Sequence, residues 1–223
     1  MHKSDSGSHF GMLIILGSVW GLSEAALGMG LRSCAAAVSG SLMTGAALLF
    51  LAAGWAVSRR VLGVFLMVFI ASIFKLFDAL LLSLPIQHGA IGNPIFAFFM
   101  EAIAFVVLVS IIKEKLIQKP FGQALLGGMT AAAAANLFPL VGYATGVSAC
   151  AAPGTTYPLS LYYIHFAVLA SLVTVPLGFW VGTKMVAFET RFIKAGAPGK
   201  LQYALSPTAL IICAAIVTLL RLS

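Results

Sequence analysis

Apolar residues fill this chain in long uninterrupted runs, and polar residues gather in the short stretches between them. The runs cover about 10–30, 34–57, 61–84, 94–112, 122–146 and 159–183, with a further one over about 205–222. The hydrocarbon core of a bilayer is about 30 Å thick and a helix rises about 1.5 Å per residue, so about 20 apolar residues cross it. None of the runs alternates polarity in the short segments a β-barrel needs. The pattern predicts an all-α membrane protein, a compact bundle of six transmembrane helices over 10–183 followed by a short seventh helix over 205–223. Residues 1–9 read as a cytoplasmic tail and 184–204 as a cytoplasmic linker.

Composition agrees with the pattern. Of 223 residues, 61% are hydrophobic and 9% charged, where soluble domains carry roughly a quarter charged residues. With a mean hydropathy of +1.07, too little polar surface remains to cover a water-soluble globule. A cytosolic enzyme, a secreted disulfide scaffold, a disordered chain and a coiled coil are excluded. The first run follows Lys3, as a signal peptide would. It is long for one, contains Glu24 and lacks a small-x-small cleavage site before the next run, so it reads as a retained helix.

The net charge of +7 arises from 13 Lys+Arg against 6 Asp+Glu, and its placement predicts orientation. Lys3, Arg59, Arg60, Lys113, Lys115, Lys119, Lys184, Arg191, Lys194 and Lys200 all fall on one side of an alternating topology. Arg32 and Arg221 fall on the other, and Lys75 lies within the third run. Positive-inside then puts the N-terminus in the cytoplasm and the protein in the cytoplasmic membrane. The excess reports orientation; it does not indicate a nucleic-acid partner.

Charges inside the runs are the chemical signal. A charged residue at the centre of a spanning helix costs about 2.5–3.5 kcal/mol on insertion scales, so it needs a partner or a function. Glu24, Lys75, Asp78 and Glu101 qualify. The predicted topology places them, with Asn136, Tyr162 and His165, in the outer half, with Glu101 about 10 Å below the outer surface. Gly17, Gly21, Glu24 and Gly28 share one stripe of the first helix, whose small residues admit a close neighbour. Lys75 and Asp78 can pair at i,i+3. Pro94, Phe98, Glu101 and Phe105 form a stripe that sets a carboxyl between two rings, and Tyr162 and His165 share a face. Pro139 and Pro176 can kink their helices and open a cavity.

Each residue also has a structural reading. Lys75 and Asp78 read first as a self-neutralising pair, Asn136 as a partner for a carbonyl freed by Pro139, and His165 alone as a satisfied core histidine. Glu24 is balanced between a hydrogen-bonded crossing residue and a binding group, and Glu101 is the leading functional carboxyl. The connections 85–93 and 148–158 hold no Asp, Glu, Lys or Arg and read as turns or a small lid. In them His88, Asn93 and Tyr157 are rim candidates, with turn chemistry the first reading for Asn93. Three carboxyls against one lysine favour a cation or an amine-bearing ligand over a phosphate.

Other chemistry finds little support. Cys34 and Cys150 are expected near the outer side, either bonded or free, and Cys213 sits in the last run. There is no CxxC, CxxCH or HExxH, and no nucleotide-binding loop. His2 and His9 fall opposite the expected pocket. No metal site, cofactor or enzymatic constellation is expected.

Size, helix count, the expected outward pocket and the segment GSVWGLSEAALG, with Gly17, Gly21 and Ala25 four residues apart, resemble the substrate-binding S component of energy-coupling factor (ECF) transporters. In that family a first-helix AxxxA-type motif packs against a membrane coupling protein driven by two ATPases. The resemblance implies that Gly17, Gly21 and Ala25 form a docking stripe, and that Glu101, Asn136, Tyr162 and His165 are pocket candidates. Glu24, Asp78, Lys75 and His88 complete the expected substrate-binding set. The resulting expectation is a non-enzymatic, small-solute-binding subunit of an uptake transporter, taking a vitamin-like or cationic ligand and energised by a separate ATPase partner. Two alternatives stand beside it: a self-sufficient proton- or ion-coupled carrier and a non-catalytic membrane assembly protein.

Overall fold

The computed structural model describes residues 6–30, 36–146, 151, 154–194 and 199–222. Among these, seven helices are long and apolar enough to cross a membrane. They are α1 (Ser6–Gly30), α2 (Ala36–Ser58), α3 (Val61–Leu81), α4 (Gly89–Ile111), α6 (Pro120–Leu137), α9 (Ile164–Lys194) and α10 (Gly199–Leu222). Short helices α5 (Glu114–Ile117), α7 (Val141–Thr145) and α8 (Leu159–Tyr162) lie in the connections. No strand occurs among the described residues; Ala151 and Pro158 form an isolated bridge. The chain is an all-α integral membrane protein.

The helix ends differ from the sequence expectation in ways that matter. The fourth helix begins at Gly89, one turn ahead of Pro94, because His88 caps it: its Nδ1 accepts from the Ala90 amide at 3.2 Å. Pro94 is the sixth residue of this helix, so its missing amide leaves the Ala90 carbonyl without the usual i→i−4 donor. In the fifth span, α6 ends at Leu137 and Pro139 lies in a 3₁₀ turn, Phe138–Leu140, that leads into α7. Pro176 instead stays inside a continuous α9. That helix runs on to Lys194 and α10 starts at Gly199, so most of the expected 184–204 linker is helix. At 31 residues α9 is about 46 Å long and outreaches the bilayer core.

Small residues set the packing. Ideal Cβ atoms built on Gly17 and Gly21 would lie 3.0 Å from the Ile70 Cβ and 2.5 Å from the Phe74 Cβ. Equal steps along both helices mean that α1 and α3 run parallel. Gly178 and Gly182 of α9 approach α2 so closely that a Cβ would meet the Leu49 and Ala53 carbonyl oxygens at 2.2 and 2.4 Å. These helices too are parallel. Lipid tails are as apolar as leucine, so such close backbone approach supplies the van der Waals attraction that associates helices in a membrane. Between the pairs lies a core around Trp20, Leu48, Leu51, Met67 and Phe105, all fully buried. Trp20 stacks with Phe50 and tilts onto Phe98 at centroid distances of 6.2 and 4.9 Å.

The last helix belongs to the same bundle. Val217 and Cys213 of α10 are buried against Ala25 of α1 and Ile70 and Phe74 of α3. Arg221 near its end reaches Asp78 near the end of α3, so α10 runs parallel to α3 and spans the bundle. One end of the bundle, termed distal here, therefore collects the finishes of α1, α3, α6 and α10 and the starts of α2, α4 and α9.

Candidate functional site

A cavity of about 340 Å³ opens at the distal end, among α1, α2, α4, α6, α8 and α9. It falls in the size range of small-molecule sites, about 300–1,000 Å³. Its walls are built from the first turns of α2, the first half of α4, the last turn of α6 and the α8–α9 break. α4 contributes Asn93, Phe98, Met100 and Glu101, spaced so that one helical face lines the cavity. α2 contributes Ser41, Met43 and Thr44, and α1 contributes Glu24 alone. Ala134, Ala135 and Phe138 close the α6 side, while Ser160, Tyr163 and Ala167 close the α8–α9 side.

Tyr163 caps the end of α8, and its carbonyl accepts the first amides of α9, from Phe166 at 3.0 Å and Ala167 at 3.2 Å. Ser160, Tyr163 and Ala167, at i, i+3 and i+7, present one face to the cavity. The Tyr163 carbonyl also accepts from Ser41 Oγ at 3.4 Å, and Ser160 Oγ donates to the Ala135 carbonyl at 2.9 Å. The two hydroxyl contacts tie the α8–α9 corner to α2 and α6.

The polar chemistry of the cavity is one-sided. Glu24 is 3% exposed and Glu101 4%, and among the described residues no Lys, Arg or His lines the wall. The Thr44 side chain is the hydrogen-bonding neighbour of the Glu101 carboxyl, and Glu24 is a like charge that acts on it. Glu24 Oε1 and Asn93 Oδ1 are buried without a hydrogen-bond partner. An unsatisfied buried polar atom costs about 1–3 kcal/mol, and more when charged. Both orphans are acceptors, so a ligand that satisfies them must bring donors.

Behind Glu24, away from the cavity, lies a charged set that joins three helices. Arg221 grips Asp78 in a two-pronged pair, through Nε to Oδ1 and through Nη2 to Oδ2 at 2.6 Å. Lys75 Nζ is 3.6 Å from Asp78 Oδ2. Lys75 and Asp78 are in turn the charged neighbours of Glu24. The i,i+3 pairing expected from sequence is present, and Arg221 is a third member that sequence spacing alone did not bring in.

The expected substrate-binding set therefore divides. Glu24 and Glu101 line the cavity; Lys75 and Asp78 support Glu24 from behind. Asn136, Tyr162, His165 and His88 are exposed and point elsewhere. Asn136 donates to the Ala132 carbonyl at 2.8 Å on its own helix; the inward residues of α6 are its neighbours Ala134 and Ala135. Tyr162 packs edge-on to Tyr163, and His165 lies against Phe166, both at the surface. His88 is a helix cap. Asn93, expected in a turn, is inside α4 and lines the cavity. Ser41, Thr44 and Tyr163 were missed as site residues. A paired hydroxyl signal, Ser41 and Thr44 at i,i+3 in the distal half of a span, was there to be read.

The Gly17–Gly21–Ala25 stripe expected to dock a partner is covered by this chain's own α3 and α10. Cys34 and Cys150, Arg32, His2 and Lys3 lie outside the described residues. Among the described residues no three His, Cys, Asp or Glu side chains converge as a metal site. The chain matches no protein-family model, no curated protein and no solved structure.

Proposed function

We propose that this chain is a membrane-embedded receptor for a small solute, acting as the binding subunit of an uptake system. One observation carries the reading: a ligand-sized cavity in the distal half of a helical bundle, holding the unpartnered acceptor atoms of Glu24 and Asn93. Buried polar groups in native proteins are almost always paired, and a pocket with a few convergent polar groups on an apolar wall is the usual form of a small-molecule site. Helix starts and ends frame the opening, so the solute would enter from one side of the membrane. Positive-inside orientation in a cytoplasmic membrane, with the N-terminus inside, makes that side external.

The sequence holds no nucleotide-binding loop, so accumulation would depend on a separate ATPase partner, as the resemblance to ECF S components implies. With Gly17, Gly21 and Ala25 turned inward, such a partner would use another face. Mild-detergent purification followed by native mass spectrometry tests the reading. A discrete bound small molecule, lost in Glu101→Gln and Asn93→Ala, is expected; a ligand-free chain that binds no solute at all would refute it.

A second reading, a self-sufficient proton-coupled carrier, is favoured by the two carboxyls that share the cavity, since intramembrane acids commonly relay protons. Liposomes separate the two. Gradient-driven uptake by the purified chain alone supports the carrier, and dependence on an added ATPase complex supports the receptor.

A further inference from the structure

Charge balance around the cavity points to the chemical class of its occupant, on the reading that the cavity binds a small solute. Three carboxyls, Glu24, Glu101 and Asp78, meet two cations, Lys75 and Arg221, in one connected set. Arg221 takes both oxygens of Asp78 and so satisfies that carboxylate by itself. A two-pronged guanidinium–carboxylate pair is among the strongest side-chain contacts. Lys75, 3.6 Å from Asp78 Oδ2, then supplies its charge to Glu24, the next carboxyl along. Among the described residues nothing basic remains for Glu101, and Glu24 still offers Oε1 to the cavity without a partner. Among the described residues the set is one positive charge short, and the deficit faces the cavity.

We propose that the cavity takes an organic monocation, an apolar molecule with a single ammonium group that sits between Glu24 and Glu101 and donates to Glu24 Oε1 and Asn93 Oδ1. The walls suit the remainder of such a molecule. Met43, Met100, Phe98 and Phe138 supply polarizable and aromatic surface; ring faces attract cations, and methionine adapts to irregular shapes. A bare divalent ion fits poorly, because it asks for six or more oxygen ligands where this wall is mostly apolar. An anion would face two carboxyls with no cation on the wall among the described residues. In a low-dielectric site that arrangement is repulsive.

An ammonium replaces the proton that otherwise balances the odd carboxyl. The atoms and charges balance simply: one ammonium enters, one proton leaves, and the buried set keeps its net charge. The groups facing the two acids are Lys75 and Asp78 from α3 and Thr44 from α2, with Arg221 of α10 acting through Asp78.

The test uses the full chain in nanodiscs of neutral lipid and three probes of one shape: 2-phenylethylamine, 2-phenylethanol and phenylacetate. Calorimetry at mildly alkaline pH, repeated in buffers of different ionisation enthalpy, reads affinity and proton release together. The amine is expected to bind at least about tenfold more tightly than the alcohol, the worth of a charge-assisted hydrogen bond. Proton release is expected with the amine alone, and no binding of the carboxylate. Glu24→Gln and Glu101→Gln keep the shape of the wall and remove its charge, so each should weaken the amine by more than it weakens the alcohol. Equal affinity of amine and alcohol, or Gln variants that bind the amine like the parent chain, overturns the ammonium assignment while the receptor reading stands. If no probe binds, the assignment is also overturned; a small molecule seen on the chain by native mass spectrometry then preserves the receptor reading, and its absence removes both.

Discussion

Arg221, two residues from the end of the sequence, donates through Nη2 to Asp78 Oδ2 at 2.6 Å across the interface of α10 and α3. The two side chains are 6% and 2% exposed. A charge pair this deep is expensive to desolvate and far more expensive to leave half-made. It fastens the last helix to the third and releases Lys75 toward the first. The C-terminal helix contributes no atom to the cavity wall, yet it shapes the charge that the cavity presents.

Removal of one partner should expose that dependence. Arg221→Gln or Asp78→Asn alone is expected to destabilise the bundle by about 3–5 kcal/mol, the range for breaking a buried pair. The double variant should recover much of the loss, because no uncompensated charge remains. Thermal unfolding of the four proteins of a double-mutant cycle measures the coupling; additive losses would show that the two side chains do not act as a pair.

Crowding the glycine seams should damage the isolated chain itself. Gly182→Val places carbon against the Ala53 carbonyl and forces α9 away from α2, and Gly21→Val drives into Phe74. Each is expected to cost about 1–3 kcal/mol or more, as overpacking does. Gly40→Ala, at a position with open space, is the control and should unfold like the parent chain. If Gly21→Val unfolds normally and loses only the capture of a membrane partner, the stripe serves docking after all.

The residues of the cavity and those at the surface should separate in binding. Glu101→Gln and Asn93→Ala are expected to weaken retention of the bound solute about tenfold or more, by the loss of one hydrogen bond to a buried group. His165→Ala and Asn136→Ala should leave it within about twofold. Native mass spectrometry of the four variants at matched pH reads this, and a large effect of His165→Ala would relocate the site.

Acidity should compete with a cationic ligand. Protons and an ammonium seek the same carboxyls, Glu24 and Glu101, so affinity is expected to fall as pH falls. The neutral alcohol probe, which displaces no proton, should bind with little pH dependence. Calorimetric titration across mildly acidic to mildly alkaline buffers checks the sign; tighter amine binding in acid would oppose it.

Some of this was legible in the chain. Seven apolar runs became seven long helices because length and hydropathy are properties of each segment, independent of its neighbours. The Pro94–Phe98–Glu101 stripe likewise kept its face, since spacing within one helix survives assembly. Rotation about the helix axis was not legible. Tyr162 and His165 share the exposed face, and Ser160, Tyr163 and Ala167 present the one that lines the cavity. The helix end at Leu137 did not move Asn136; its face was wrong for a cavity already filled on that side by Ala134 and Ala135.

Sequence by itself determined the class of protein, the long apolar helices and the presence of charges that must find partners, because the energy of placing a residue in hydrocarbon depends on that residue and its depth. Tertiary structure alone decided which partners they found. Depth ranks residues along the membrane normal but says nothing of rotation about a helix axis or of which helices adjoin. Those two choices joined Arg221 to Asp78 across 143 residues of chain, buried the glycine stripe of α1 inside the molecule, and turned Glu24 and Glu101 into one cavity.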